Sequence, residues 1–255
     1  MTVLILGGTA EARELASVLL GRGRPVVSSL AGRVADPVLP AGPVRVGGFG
    51  GPGGLAQFLV QHRIEAVVDA THPFAATISA HAALAASEVG CPLVRLQRPG
   101  WSDHPDADRW TWVPDAGAAV TAGQTARRPF LTTGRQSLAA FLTWSDRDVL
   151  VRVVDPPDCR LPERWRVIRS RGPYSYPAER QLMSEFRTDL LVTKDSGGSH
   201  TAAKLEAARD LGLAVVVIAR PPTVAGTTVV RSTDDVLAWL ATLTSPAQAS
   251  ESTQA

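Results

Sequence analysis

The chain has 255 residues, 45% hydrophobic and 20% charged, with a formal net charge of +2. That length suits one large domain or two compact ones, and the composition excludes disorder for most of the chain, which would need low hydrophobicity and high net charge. So small a positive balance excludes a bulk nucleic-acid binder, makes any anion site local, and no apolar run is long enough to span a bilayer.

The predicted elements begin with a short apolar strand over 3–6 that ends in Gly7 and Gly8. A helix over 10–20 follows, with Ala12, Leu15, Ala16 and Leu19 at helical spacing. Strands over 25–29 and 44–46, a helix over 54–62, a buried-type strand over 66–70, an Ala-rich helix over 75–89 and a strand over 92–96 come next. Residues 97–128 break this rhythm with Trp101, Trp110, Trp112, prolines and acidic residues. One short helix is predicted there, over 115–122, and the segment reads as a connection between two lobes. The alternation restarts with strands over 130–132, 149–153, 167–169, 190–193 and 214–218, and helices over 137–141, 178–186 and 201–211. A strand over 228–230 and a helix over 234–243 close the fold, and the small, polar residues 245–255 are expected to be disordered.

Strands that alternate with helices and are apolar at nearly every position predict an α/β protein whose sheets are covered on both faces. The expected architecture is two Rossmann-like lobes with mostly parallel sheets and an active-site cleft between them. The expected boundaries are a first lobe over 1–100, a connecting segment over 101–128 and a second lobe over 129–244. The N-terminus shows no basic region or cleavage site, and Cys91 and Cys159 form no CxxC pair, so a cytoplasmic protein is expected.

Four loops in the first lobe carry chemistry. Leu6-Gly7-Gly8-Thr9-Ala10-Glu11 follows a strand and opens a helix, where glycines admit a phosphate to free backbone N–H groups. It is not a full GxGxxG and would also serve as a tight turn in any α/β protein. Ser28-Ser29-Leu30-Ala31-Gly32-Arg33 stands where an NAD site places an acidic residue. Serines and Arg33 in that place suit the 2′-phosphate of NADP(H) instead, or Arg33 is a solvated surface arginine. The glycine-rich run 47–54, with Phe49 inside it, is a flexible linker or a ligand-facing loop able to close over something flat. Asp69-Ala70-Thr71-His72-Pro73-Phe74 ends a buried strand; Asp69 or His72 could act as a general acid, and His72 reads equally as a helix-start residue.

The second lobe repeats the pattern. Leu131-Thr132-Thr133-Gly134-Arg135 and Val192-Thr193-Lys194-Asp195-Ser196-Gly197-Gly198 each follow a strand and precede a helix. Hydroxyls, glycines and a cation in that setting hold a carboxylate or phosphate. Only two of the 26 basic residues are lysines, which makes the Lys194 loop the more specific signal; an exposed lysine on a turn is the plain alternative. Arg171-Gly172-Pro173-Tyr174 is a further anion-capable turn. No YxxxK, Walker, GxSxG or HExxH motif occurs, His62 and His81 lack metal-ligand spacing, and no metal is expected.

Seven segments in register resemble the precorrin-6A reductase family of cobalamin biosynthesis. They are Ile5-Leu6-Gly7-Gly8-Thr9-Ala10-Glu11-Ala12, Ser29-Leu30-Ala31-Gly32-Arg33, Gly47-Gly48-Phe49-Gly50-Gly51, Asp69-Ala70-Thr71-His72-Pro73-Phe74-Ala75, Leu131-Thr132-Thr133-Gly134-Arg135, Thr193-Lys194-Asp195-Ser196-Gly197-Gly198 and Lys204-Leu205-Glu206-Ala207-Ala208-Arg209. The resemblance implies NADPH-dependent reduction of one macrocycle double bond of precorrin-6A, giving precorrin-6B. It implies a cofactor held by the first lobe, at Gly7, Gly8, Thr9, Glu11, Ser29, Leu30, Ala31, Gly32, Arg33, Asp69, Ala70 and Thr71. The tetrapyrrole is expected at Gly48, Phe49, Gly50, Thr132, Thr133, Gly134, Arg135, Lys194, Ser196, Gly197 and Gly198, with Thr132, Thr133, Arg135, Lys194 and the backbone of 196–198 taking its carboxylates. A proton donor, if the conjugated ring needs one, is expected from Lys194, Asp195 or His72, in that order. Two other readings stand beside this one: the same reduction on a cobalt-bearing ring, and a non-catalytic NADPH-binding sensor. No membrane or nucleic-acid partner is expected, and the oligomeric state is left open.

Overall fold

Thr2–Leu6 forms strand β1, and its last four residues are buried because a run apolar at every position has no solvent face to offer. The computed structural model describes residues 1–32, 37–198 and 201–244. β1 feeds α1 (Ala10–Gly21), which buries Ala12, Leu15, Ala16 and Leu19. β2 (Val26–Leu30), β3 (Val44–Val46), α2 (Pro52–Gln61), β4 (Ile64–Asp69), α3 (Ala76–Glu88) and β5 (Leu93–Leu96) follow. A 3-10 turn (Ala107–Arg109) leads to β6 (Thr111–Val113) and α4 (Ala116–Ala122), whose N-cap Asp115 accepts from the Ala118 N–H. Then come β7 (Pro129–Leu131), a longer 3-10 helix (Arg135–Trp144), β8 (Val149–Val153) and β9 (Trp165–Arg169). α5 (Tyr176–Phe186), β10 (Leu190–Lys194), α6 (Ala203–Asp210), β11 (Ala214–Ile218), β12 (Thr228–Val230) and α7 (Thr233–Thr244) complete the chain.

The strands form two six-stranded parallel sheets, in the orders β12-β5-β4-β1-β2-β3 and β6-β11-β10-β7-β8-β9. Five strands of each sheet repeat one topology, with the first strand central and the order reversing beside it. The sixth strands are exchanged. β6 follows the first five strands in sequence but joins the second sheet, and β12 follows the second set but joins the first. The two units therefore comprise Met1–Arg98 with the segment from Thr223, and Pro99–Pro222.

In the first unit, Val3, Ile5, Leu15, Leu19 and Val68 pack with Val236 and Leu240 of α7 on one sheet face. Leu4, Leu6, Leu55, Leu59 and Val67 fill the other, under α2 and α3. In the second unit, Phe130, Leu150, Met183, Leu191, Leu205 and Val217 form a core that also takes in Trp101 and Trp110.

Two placements differ from the sequence reading. Residues 101–128 are not merely a connector: β6 pairs with β11, and Trp101 and Trp110 are core residues of the second unit. β12 and α7 do not close the second lobe, because β12 pairs with β5 and α7 covers the first core. The helix expected over 137–141 is a 3-10 helix, Arg135–Trp144, that buries Leu138, Phe141 and Trp144. The expected tail, 245–255, lies outside the described residues.

Candidate functional site

Thr9 fixes the turn between β1 and α1. Its Oγ1 accepts from the Ala12 N–H at 3.1 Å, and its hydroxyl donates to the Ala70 carbonyl at 2.8 Å, tying the turn to the end of β4. Gly8, just before it, has a φ of +112° and open space where a Cβ would stand. Only glycine adopts that conformation without strain, and the opening exposes the N-terminal turn of α1 to an anion. Gly7 anchors the other side, its N–H donating to the Ser29 carbonyl at 2.9 Å.

A small groove opens beside this turn, lined by Thr9, Glu11, Ala70, Thr71, Pro73, Leu96, Gln97 and Arg98. It lies at the C-terminal ends of β1, β4 and β5, where the sheet order reverses, which is where open α/β sheets bind ligands. Its walls are held by internal ion pairs. Asp69 accepts from the Thr71 N–H at 3.1 Å and the Thr71 hydroxyl at 2.7 Å, and its other oxygen pairs with the buried Arg95. Arg95 also donates to Ser79 and, at 2.8 Å, to Gln97. Glu11 pairs with Arg98 at 2.8 Å. Burial opposes ionisation of Glu11, but its backbone N–H, the Arg98 charge and the Thr9 hydroxyl outweigh it and hold the carboxyl below its usual range. Asp69 thus braces the groove while Ala70 and Thr71 line it.

Of the second loop, Ser29 is buried at the end of β2 and accepts from Arg45 Nη1 at 3.2 Å. Leu30 is buried, Ala31 and Gly32 are exposed, and Arg33 lies outside the described residues. In the glycine run Phe49 is half-buried. The Phe49 ring packs edge-on against Phe58 at 5.2 Å between centroids, with the Arg45 guanidinium 3.9 Å above it. Gly48 and Gly50 remain exposed. His72 accepts from the Phe74 N–H at 3.2 Å through Nδ1, which leaves a neutral ring's proton on Nε2.

In the second unit, Thr132 donates to the Val192 carbonyl at 3.1 Å. Its neighbour Thr133 is 2% exposed, and its hydroxyl has no hydrogen-bond partner among the described residues. Such an orphan at a strand end suits a bound ligand. Gly134, at φ +79°, leaves open space beside it, and Arg135 pairs with Asp158 at 2.7 Å. Lys194 ends β10 half-buried, and that burial lowers the ammonium's pKa.

Asp195 has partners of its own. Its carboxylate accepts from the Trp101 N–H at 2.9 Å and pairs with Arg220 at 3.1 Å, and Arg220 also donates to the carbonyl of Pro99. A Cβ on Gly197 would overlap the Pro99 carbonyl at 2.1 Å, so the Ser196-Gly197-Gly198 turn is pressed onto the same segment. Beneath it, the buried Lys204 donates to the Thr201 carbonyl at 2.6 Å and stands 4.6 Å over the Trp101 ring. Burial lowers its pKa to about 7. Arg152 and Glu179 form a buried bidentate pair at 2.6 and 3.0 Å, with Arg152 stacked on Tyr174 at 4.0 Å. Among the described residues, no three His, Cys, Asp or Glu side chains cluster as metal ligands, and no helix is long and apolar enough to cross a membrane.

Sequence reasoning missed Arg45, Arg95, Arg98, Arg152 and Arg220, and it named Lys204 without a role. The readable signal was a charged residue inside an otherwise apolar parallel strand, as in Leu93-Val94-Arg95-Leu96 and Val149-Leu150-Val151-Arg152-Val153, which demands a buried partner.

A family model described as precorrin-6x reductase CbiJ/CobK matches residues 2–241. A relative from Mycobacterium tuberculosis (strain CDC 1551 / Oshkosh), named precorrin-6A reductase, is 52% identical over 245 residues, 95% of this chain and 98% of its own. A relative from Priestia megaterium, named cobalt-precorrin-6A reductase, is 32% identical over 239 residues, 88% of this chain and 92% of its own. A solved structure described as CobK precorrin-6A reductase superposes with a TM-score of 0.89 at 39% identity, covering 98% of this chain and all of that one.

Proposed function

Because the chain belongs to the CbiJ/CobK precorrin-6x reductase family, we propose that it reduces one double bond of metal-free precorrin-6A with NADPH, giving precorrin-6B. The observation that carries the cofactor is the β1–α1 turn, where Gly8 leaves a helix N-terminus open to a pyrophosphate. The end of β2 supports the phosphorylated nucleotide, since it offers Ser29 and the Arg45 guanidinium and no acidic residue. Identity of 52% to a relative named for the metal-free substrate, against 32% to one named for the cobalt form, supports the metal-free ring.

The chemistry NADPH supplies when bound is hydride transfer to a ring carbon. The protein's part is to bind and orient. Thr9 and Ala70 lock the phosphate turn to β4, and the Asp69–Arg95–Gln97 network keeps the groove wall rigid. Thr133, Gly134, Arg135, Lys194 and Ser196 to Gly198 receive substrate carboxylates on the second unit. Lys194 is the proton donor, because burial makes its ammonium a stronger acid than a solvated lysine. Asp195 holds the chain segment above it rather than a proton, since its oxygens serve Trp101 and Arg220.

The test is NADPH oxidation by the purified protein with metal-free precorrin-6A, cobalt-precorrin-6A or no ring, repeated with NADH. Oxidation that depends on the metal-free ring and prefers NADPH is expected. NADPH binding without oxidation on either ring would replace the reading with a sensor. Lys194→Ala is expected to lower kcat by about 10²- to 10³-fold with the KM for NADPH unchanged.

A further inference from the structure

Arg45 is the middle residue of the edge strand β3 and pairs in register with Ser29 of β2. Its Nη1 donates to Ser29 Oγ at 3.2 Å and to the Gly47 carbonyl at 2.8 Å, and its Nη2 donates to the Gly48 carbonyl at 3.0 Å. The guanidinium lies 3.9 Å over the Phe49 ring and 5.4 Å from that of Phe58. These contacts orient the charge without neutralising it. Arg95, Arg98, Arg135 and Arg220 each face an aspartate or glutamate. Among the described residues, no carboxylate stands within ion-pair distance of Arg45. A half-buried, rigidly held and unneutralised guanidinium suits an anion supplied from outside. Its place decides which anion. The end of the second strand is where a dinucleotide's adenosine ribose lies, and an NAD site puts an acidic residue there to hold the 2′-hydroxyl. Gly47 and Gly48, whose carbonyls hold the guanidinium, have nothing within 4 Å of where a Cβ would stand, so the space beside this loop is open.

We propose that Arg45, with Ser29, binds the 2′-phosphate of NADPH and sets the enzyme's preference for NADPH over NADH. The proposal rests on the NADPH reading given above. NADP⁺ and NAD⁺ differ only by that phosphate, so titration calorimetry with both separates phosphate recognition from loop architecture. The wild-type protein is expected to bind NADP⁺ the more tightly. Arg45→Ala is expected to weaken NADP⁺ by about 10- to 100-fold while leaving NAD⁺ within about threefold, and Arg45→Lys to fall between. The ratio of kcat/KM for NADPH to that for NADH should drop by the same factor. An equal loss for both nucleotides would make Arg45 a brace of the glycine loop and overturn the proposal, as would an unchanged preference. A wild-type protein that fails to prefer NADP⁺ would overturn the NADPH reading itself, and this shows before any variant is made.

Discussion

In each sheet an aspartate at the end of a strand or just past it pairs with an arginine on or beyond the neighbouring strand, but the two pairs do different things. Asp69 and Arg95 are sealed, with side chains 3% and 5% exposed, and their remaining hydrogen bonds go mainly to the side chains of Thr71, Ser79 and Gln97. Asp195 and Arg220 are slightly more open, at 8% and 13%, and theirs go to the main chain at Pro99, Trp101 and Asp195 itself. The first pair is a floor beneath the candidate cofactor groove. The second is a strap over the point where the chain enters its unit. The same buried charge pair takes its role from what its leftover donors and acceptors can reach.

Removing one partner from each pair tests the contrast. Asp69→Ala leaves Arg95 charged and buried, and is expected to cost about 3–5 kcal/mol, read from denaturant unfolding. Asp195→Ala should cost less, about 1–3 kcal/mol, because Arg220 can reach water. Equal losses would erase the distinction between floor and strap.

Lys204 sharpens the comparison with an effect of a few kcal/mol, since its pKa is about 7 in the folded protein against an unfolded value near 10.5. Below pH 7 both states hold the proton, and above 10.5 neither does. Between these limits the unfolded state binds more protons, so stability rises with pH across that window and levels off below it. Lys204→Met should flatten the rise, as measured by melting temperature from pH 7 to 10. The smallest effect is at Thr133. Thr133→Val keeps the shape and removes the orphan hydroxyl, and is expected to raise the KM for the tetrapyrrole about 5- to 10-fold with the KM for NADPH unchanged.

Local pattern carried much of the architecture. The buried runs of β1, β4 and β10 and the helical spacing of α1 were legible because their periodicity is set by the covering layers. The ownership of β6 and β12 was not, since three-residue strands do not show which sheet edge they will join. The glycine turns and hydroxyl loops of the candidate site stood out by residue type. Arg45 did not, because an arginine on a three-residue edge strand looks solvated until its cross-strand partner is known, and the charge of Arg95 inside an apolar strand called for a buried partner without naming it. The contacts of Asp195 with Trp101 and Arg220 were not legible, since those partners lie 94 and 25 residues away in sequence.

The exchange of β6 and β12 also sets an order of completion during translation. Residues 1–98 emerge with five strands of their sheet, but the outer edge of β5 stays bare until β12 appears. Val3, Leu15 and Leu19 meanwhile wait for Val236 and Leu240. The second unit, contiguous in sequence, is whole once β11 has left the ribosome. The half made first is therefore finished last, and at about 5–20 residues per second its open edge persists for on the order of ten seconds. A bare edge is a template for any passing strand, and β6 is the next strand to arrive. Its capture by β11 rather than by β5 is the decision on which the nascent chain's correct assembly turns.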